Sequence, residues 1–128
     1  MTDLVDWIAG ALARGLAFGT PLLWGTLGEI YAERAGVVNL GVEGMMILGA
    51  FAAFAVAQVT GQPAVGLVVA AAAGGAAAML HAFVAVTLRA NQYVSGLALT
   101  MFGLGLSGLL GRGFEGIPLD NTLSEFSA

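Results

Sequence analysis

Long apolar segments separated by short polar interruptions make up most of this sequence. A helix needs about 20 mostly apolar residues to cross the hydrocarbon region of a bilayer. Four segments have about that length, and they predict an all-α membrane protein with about four transmembrane helices. The predicted spans are residues 4–31, 45–60, 63–88 and 92–111.

The approach to the second span differs from the other connections. Residues 36–44 read GVVNLGVEG and carry a single charge, whereas residues 45–60 alone are short for a full crossing. We therefore expect a broken, non-helical approach that enters the membrane before the second helix. Its backbone must be buried in protein, because lipid cannot satisfy free N–H and C=O groups.

Small residues are concentrated in the third and fourth segments. The third has VAAAAGGAAA at its centre, residues 69–78. Small side chains let helix backbones approach closely in a bilayer, so this segment is predicted to be a packed interior helix. The fourth has small residues at spacings that are multiples of four, which predicts one narrow small-residue face: Ser95, Gly103, Ser107 and Gly111.

Composition supports the membrane interpretation and excludes several other classes. Hydrophobic residues make up 59% of the chain and charged residues 9%, against about a quarter charged in soluble domains. The four basic residues are isolated arginines in a chain of net charge -4, so no basic patch is available for nucleic acid. Cysteine is absent, which excludes thiolate metal sites and thiol nucleophiles. We expect no metal and no other cofactor.

The arginines also predict an orientation. Arg34 lies between the first and second spans and Arg89 between the third and fourth, so four crossings put both on one side. Positively charged loops face the cytoplasm. The chain is therefore predicted to be a multi-pass membrane protein with an extracytoplasmic N-terminus. Its expected location is a bacterial-type plasma membrane. Residues 112–128 would form an extracytoplasmic tail, although Arg112 opposes that placement.

The densest polar cluster lies between the first and second spans. Charges near a membrane core mark a pathway, an ion pair or an interface. Glu33 and Arg34 form either a helix end at the cytoplasmic surface, with Arg34 neutralising Glu33 or a neighbour, or a docking or gating contact at that cytoplasmic edge. Asn39 and Glu43 either start the second helix, as N-cap and first-turn carboxylate, or line a substrate cavity at a broken backbone. Both interpretations can hold together.

A second polar cluster opens the fourth span. Asn91 is a candidate N-cap, and Gln92 and Ser95 face either neighbouring helices or a polar lumen. His81, alone in the third span, has no neighbour that would complete a metal site, so it is predicted to form a hydrogen bond between helices. A proton-relay role is the alternative for that histidine.

Catalytic motifs are missing from the sequence. It has no nucleophile elbow, no H-E-x-x-H and no phosphate-binding G-x-x-x-x-G-K. We therefore expect a transporter component and not an enzyme. If transport is driven by ATP, its hydrolysis belongs to a separate polypeptide.

Two segments carry a family resemblance. ERAGVVNLGVEGMMILGAF at 33–51 and RANQYVSGLALTMFGLGLSGLL at 89–110 closely resemble the permeases of binding-protein-dependent ABC importers for branched-chain amino acids, ribose-type sugars and nucleosides. The resemblance covers about residues 14–120. It is specific in the two motifs and only compositional between them. Residues 36–44 look like the nucleoside subgroup, so the resemblance implies import of nucleosides or a related small polar solute.

The resemblance also implies an assembly. It consists of two permease subunits in the lipid bilayer, cytoplasmic ABC ATPases and an extracytoplasmic substrate-binding protein. In this chain the candidates for the substrate path or gate are Asn39, Glu43, Asn91, Gln92 and Ser95. Permeases of this family are more than twice as long as this chain, and the helix that couples them to the ATPase lies in the half that is missing here. The chain is therefore expected to be the N-terminal part of one permease domain.

Two other hypotheses fit the same residues. A self-contained four-helix secondary transporter would use Glu29 or Glu43 as a proton carrier. Its weakness is that every carboxylate lies near the end of a predicted span. A scaffold held together by the small-residue faces would show no ligand-dependent change.

Overall fold

The computed structural model describes residues 2–119, which form four α-helices and contain no β-strand. The helices are α1 (Thr2–Arg34), α2 (Val42–Thr60), α3 (Pro63–Ala82) and α4 (Gln92–Gly111), with a π-helical turn at Phe83–Thr87 and a 3-10 turn at Arg112–Phe114. The predicted all-α class is confirmed. Residues 120–128 of the expected extracytoplasmic tail lie outside the described residues.

Three of the helices are long and apolar enough to cross a membrane. They are Val42–Thr60, Pro63–Thr87 and Gln92–Phe114, with mean hydropathies of 1.8, 2.0 and 1.6. The first helix is longer but is not among the three, because charged and polar residues such as Arg14 lower its hydropathy. Its crossing of the membrane stays a prediction.

Residues 2–36 form one compact unit, which is a single long helix followed by a turn. Pro21 lies inside α1 without ending it; membrane helices tolerate proline in this way where neighbouring groups satisfy the freed carbonyl. The helix ends at Arg34, and Gly36 follows with a φ of +86°. Glycine adopts this left-handed conformation without a steric penalty and terminates helices for that reason.

Residues 37–119 of the second unit form a bundle in which α2 packs against both α3 and α4. The backbones touch through glycine. A Cβ atom on Gly66 of α3 would lie 2.5 Å from the carbonyl oxygen of Ala53, and one on Gly103 of α4 would lie 2.7 Å from that of Gly44. Only glycine fits at such distances, so these residues set the spacing of the bundle.

The small-residue predictions hold in part. Gly103 does belong to the contact face of α4, but that face continues at Gly96, one position from the predicted Ser95. The alanine-rich centre of α3 packs on one face only, since Ala71 and Ala76 are exposed. Within the described residues, α3 is therefore buried on one face only, and the expectation of an interior helix holds for that face.

The turn between α2 and α3 follows local rules. Gly61 ends α2 in a left-handed conformation, φ +67°, and donates its N–H to the carbonyl of Ala57 at 2.8 Å. Pro63 then stands in the first turn of α3, where its missing N–H has no helical partner to lose. Pro63 thereby opens α3.

The end of α3 was not expected from the sequence. Regular α-helix stops at Ala82, five residues continue as a π-helical turn, and the Leu88 N–H donates to the Phe83 carbonyl at 3.0 Å. Arg89 then has a φ of +51°, which is uncommon for a residue other than glycine. The chain thereby reverses into α4 within three further residues.

Candidate functional site

The predicted broken approach to the second helix is present. Residues 37–41 are non-helical, and α2 begins at Val42 with Gly41 as its N-cap and no side-chain cap. Asn39 instead closes a turn, because its Oδ1 accepts a hydrogen bond from the Gly41 N–H at 2.9 Å. The expectation that Asn39 caps α2 is wrong: its side chain organises the turn before the cap.

This approach segment is hydrogen-bonded to α4 at two places. The Val38 N–H donates to Gln92 Oε1 at 3.0 Å, and Thr100 Oγ1 donates to the Leu40 carbonyl at 2.9 Å. Gln92 and Thr100 are eight residues apart, so both lie on one face of α4. Non-helical backbone at membrane depth requires such protein partners.

Gly96 lies between those two side chains on the same face of α4. A Cβ atom there would be 2.8 Å from the Leu40 nitrogen and 2.9 Å from the Gly41 nitrogen. The backbone of the approach segment therefore lies directly on the backbone of α4. We call residues 37–41 together with Gln92, Gly96 and Thr100 the loop–α4 contact.

Gly96 and Thr100 were not among the candidates from the sequence. Their signal is the spacing of four from Gln92, which places three contact residues in one row along α4. This spacing does not identify what the row contacts, because Val38 lies 54 positions from Gln92 and Leu40 lies 60 positions from Thr100.

Asn91 and Ser95 have separate roles at the start of α4. Asn91 Oδ1 accepts hydrogen bonds from the N–H groups of Tyr93 and Val94 at 3.0 and 3.2 Å, which confirms the predicted N-cap. Ser95 Oγ lies 3.1 Å from His81 Nδ1 on α3. The expected interhelical hydrogen bond of His81 is thus confirmed, with Ser95 as its partner.

The carboxylate and arginine candidates are solvent-accessible in this chain. Glu43 stands in the first turn of α2, as expected, and is exposed. Glu33 and Arg34 are exposed at the end of α1, where a positive charge is favourable beside the helix C-terminus. The structure brings Asn39 and Gln92 into one contact, whereas these three do not join it.

Metal-ligand clusters of three or more His, Asp or Glu residues are absent from the described part of the chain. The geometry offers an apolar bundle with a short non-helical segment, which carries Asn39, held against one helix. Such an arrangement can expose polar backbone and amide groups to a solute at membrane depth.

A known permease family matches most of the sequence. The family described as "Branched-chain amino acid transport system / permease component" matches residues 11–128. The chain belongs to this family. Family membership confirms the resemblance drawn from the two motifs, and it makes the chain a transporter component and not an enzyme.

Individual relatives within the family are permeases of two substrate classes. A Haloferax volcanii protein provisionally named a glucose ABC transporter permease is 46% identical over 86% of this chain. The guanosine ABC transporter permease of Bacillus subtilis is 38% identical over 80%, and the nucleoside ABC transporter permease of Lactococcus lactis subsp. cremoris is 32% identical over 77%. No solved structure matches the chain.

The permease chain spans about a third of the length of these relatives, 33%, 34% and 33% respectively. The shared family, together with three apolar helices, supports a multi-pass membrane protein. It also favours the ABC importer hypothesis over the self-contained secondary transporter, since the relatives are named as ABC transporter permeases.

Proposed function

We propose that this chain is part of the permease subunit of a binding-protein-dependent ABC importer for nucleosides or a related small polar solute. The observation that carries the proposal is the loop–α4 contact, which holds Asn39 and Gln92 within an otherwise apolar bundle. Two relatives named for guanosine and nucleoside transport support the substrate class, while a glucose relative supports the wider class of small polar solutes.

Family membership supports the proposed assembly. It contains a second permease subunit, cytoplasmic ABC ATPases that hydrolyse ATP, and an extracytoplasmic substrate-binding protein, in a plasma membrane. Closure of the ATPases would rock the permease helices and open the path alternately to each side. Glu33 and Arg34 would lie at the cytoplasmic edge, and the N-terminus would be extracytoplasmic.

Within this scheme the loop–α4 contact forms this chain's part of the substrate path. Because Gln92 and Thr100 tie the approach segment to α4, the segment and the helix move together when the bundle rocks. Asn39, Glu43, Asn91, Gln92 and Ser95 are the candidate path or gate residues, and of these Asn39 and Gln92 belong to the contact itself.

Uptake measurements test this proposal. The permease containing this chain is reconstituted in proteoliposomes with its ATPases and binding protein, and import of radiolabelled guanosine is followed with and without internal ATP. We expect ATP-dependent guanosine uptake that unlabelled nucleosides inhibit more strongly than glucose does. Uptake that continues without ATP and follows an imposed proton gradient would contradict the importer and favour a secondary transporter.

A further inference from the structure

A cavity of about 340 Å³ lies between α3 and α4, outside the loop–α4 contact. This volume is within the range of about 300–1,000 Å³ that small-molecule sites occupy. Two polar residues line it, His81 and Ser95, together with five apolar residues that include Leu99 and Phe102. Sites for small molecules have this composition, with few polar groups in an apolar wall.

The polar pair in this cavity is unusual for a membrane-spanning helix. His81 is only 4% exposed, its Nδ1 lies 3.1 Å from Ser95 Oγ, and its buried Nε2 makes no hydrogen bond to the described residues. Buried polar atoms without a partner are rare and call for a functional explanation. Ionisable residues within membrane segments mark functional sites for the same energetic reason.

A neighbouring cavity provides a contrast. It has a volume of about 370 Å³, shares Leu80, Leu99 and Phe102 with the first, and is otherwise lined by leucine, alanine and phenylalanine. No polar side chain belongs to that lining. The second cavity is also lined by α2 residues such as Leu48 and Phe51. Of these two adjoining cavities, the one with the His81–Ser95 pair can therefore form side-chain hydrogen bonds with a solute.

The backbone beside the pair is irregular as well. The π-helical turn begins at Phe83, two residues after His81, and its Val84 lines the same cavity. Single π-helical turns within α-helices are frequent at functional sites. This irregularity is independent of the hydrogen bond and of the cavity volume.

The lining restricts the chemistry of a solute. No charged side chain lines the cavity, so a phosphate or an amino acid zwitterion would be buried without a counter-charge. A free sugar would leave several hydroxyl groups without partners against apolar walls, at a cost for each. A neutral aromatic heterocycle can bury its two ring faces against Leu99 and Phe102 and turn its polar edge toward the His81–Ser95 pair.

We propose that this cavity receives the heterocyclic base of a nucleoside, with Ser95 Oγ in contact with the base and His81 as the positioning residue that orients the Ser95 hydroxyl. The inference rests on the proposed import of nucleosides and adds the part of the solute that the permease recognises. It also assigns Ser95 to this cavity and away from the loop–α4 contact.

Photolabelling tests the cavity directly. The permease containing this chain, assembled with its ATPases and binding protein, is irradiated with 8-azidoguanosine, and labelled peptides are mapped by mass spectrometry. We expect label between Leu80 and Phe102, and protection by guanosine but not by D-ribose. Label confined to other helices, or equal protection by ribose, would overturn the inference.

Variants of the pair sharpen the test. Ser95→Ala should raise the guanosine concentration that half-protects against labelling by about three- to tenfold, as expected for the loss of one hydrogen bond. Ser107→Ala is the matched control, because Ser107 lies on the same helix, bonds to the Gly103 carbonyl at 2.6 Å and does not line this cavity. Equal protection in both variants contradicts the inference.

His81 is tested by a rescue. His81→Leu should weaken protection as Ser95→Ala does, and His81→Asn, which keeps an amide near the position of Nδ1, should restore most of it. A purely structural histidine would lower the yield of folded complex in both variants without changing the half-protecting concentration.

Failure of the wild-type complex to import guanosine with ATP contradicts the proposed function, whereas the labelling measurement needs no ATP and tests the cavity separately.

Discussion

Glycine residues, which have no side chain beyond a hydrogen atom, determine how closely the helices of this bundle pack. At Gly96 the backbone of α4 touches the approach segment, and at Gly103 it touches α2 through Gly44. Each contact joins backbone to backbone, so no flexible side chain is available to move aside. The same close contact brings Gln92 and Thr100 within hydrogen-bonding distance of the segment.

Gly96→Ala is therefore expected to destabilise the permease containing this chain. The added Cβ would lie 2.8 Å from the Leu40 nitrogen, and overpacking of this kind costs about 1–3 kcal/mol. Thermal unfolding in detergent, followed by circular dichroism, measures the loss. Gly105→Ala on the same helix is the control, since its Cβ meets nothing within 4 Å and alanine favours helix. Equal unfolding temperatures for the two variants would show that α4 does not rest on the segment.

Residue roles that depend on neighbouring sequence could be predicted, and roles that depend on distant sequence could not. The N-cap role of Asn91 is predictable because the N–H groups that donate to its side chain lie only two and three residues away. Asn39 was misassigned because an asparagine at this spacing can either cap a helix or close the preceding turn. The spacing of Gly96 and Thr100 from Gln92 places them on one face of α4 but does not identify what they contact, since their partners are some 55–60 residues away in the sequence.

At the scale of elements, the approach segment is bound to α4. It precedes α2 in sequence, but its backbone groups bond to side chains of α4. Lipid cannot replace these partners. The segment should therefore keep its place only while both side chains remain.

Thr100→Val tests that attachment. The variant keeps the shape of the side chain but removes the donor to the Leu40 carbonyl, a loss of about 0.5–1.5 kcal/mol. A cysteine at the exposed Leu40, in a sequence otherwise free of cysteine, should then react with a maleimide about two- to tenfold faster. Thr100→Ser retains the hydroxyl and should react at the original rate. An unchanged rate in Thr100→Val would mean that the segment is held without this bond.

Hydropathy predicted the elements well where a helix is regular and poorly where it is not. The fourth helix occupies the residues expected from its apolar run, and α2 begins three residues before its expected start because Val42 to Gly44 are helical. The third was expected to continue to Leu88 as one helix. Its π-helical turn, FVAVT, has the same apolar composition as the helix before it, so no pattern in the sequence separates the two.

The molecule as a whole presents large apolar side chains outward on every helix, among them Trp24 on α1 and Met101 on α4, 69% and 74% exposed. An exposed apolar surface of this extent requires lipid or protein around it. Lipid and further permease helices would both satisfy it, and the relatives are about three times as long as this chain. The exposed apolar surface therefore agrees with a multi-pass membrane protein of this permease family.

Orientation is the property of the whole molecule that the arginines predict and that can be tested without a substrate. Asp3→Cys and Arg89→Cys place single thiols near the N-terminus and in the connection between α3 and α4. If positively charged connections face the cytoplasm, a membrane-impermeant maleimide added to intact cells should label the cysteine at position 3 and label the one at position 89 only after the cells are opened. Arg89 itself contributes to this preference, so Ala90→Cys, which leaves every arginine in place, serves as the matched variant in the same connection. Labelling of position 90 in intact cells would reverse the orientation and would place Glu33 and Arg34 away from any cytoplasmic ATPase.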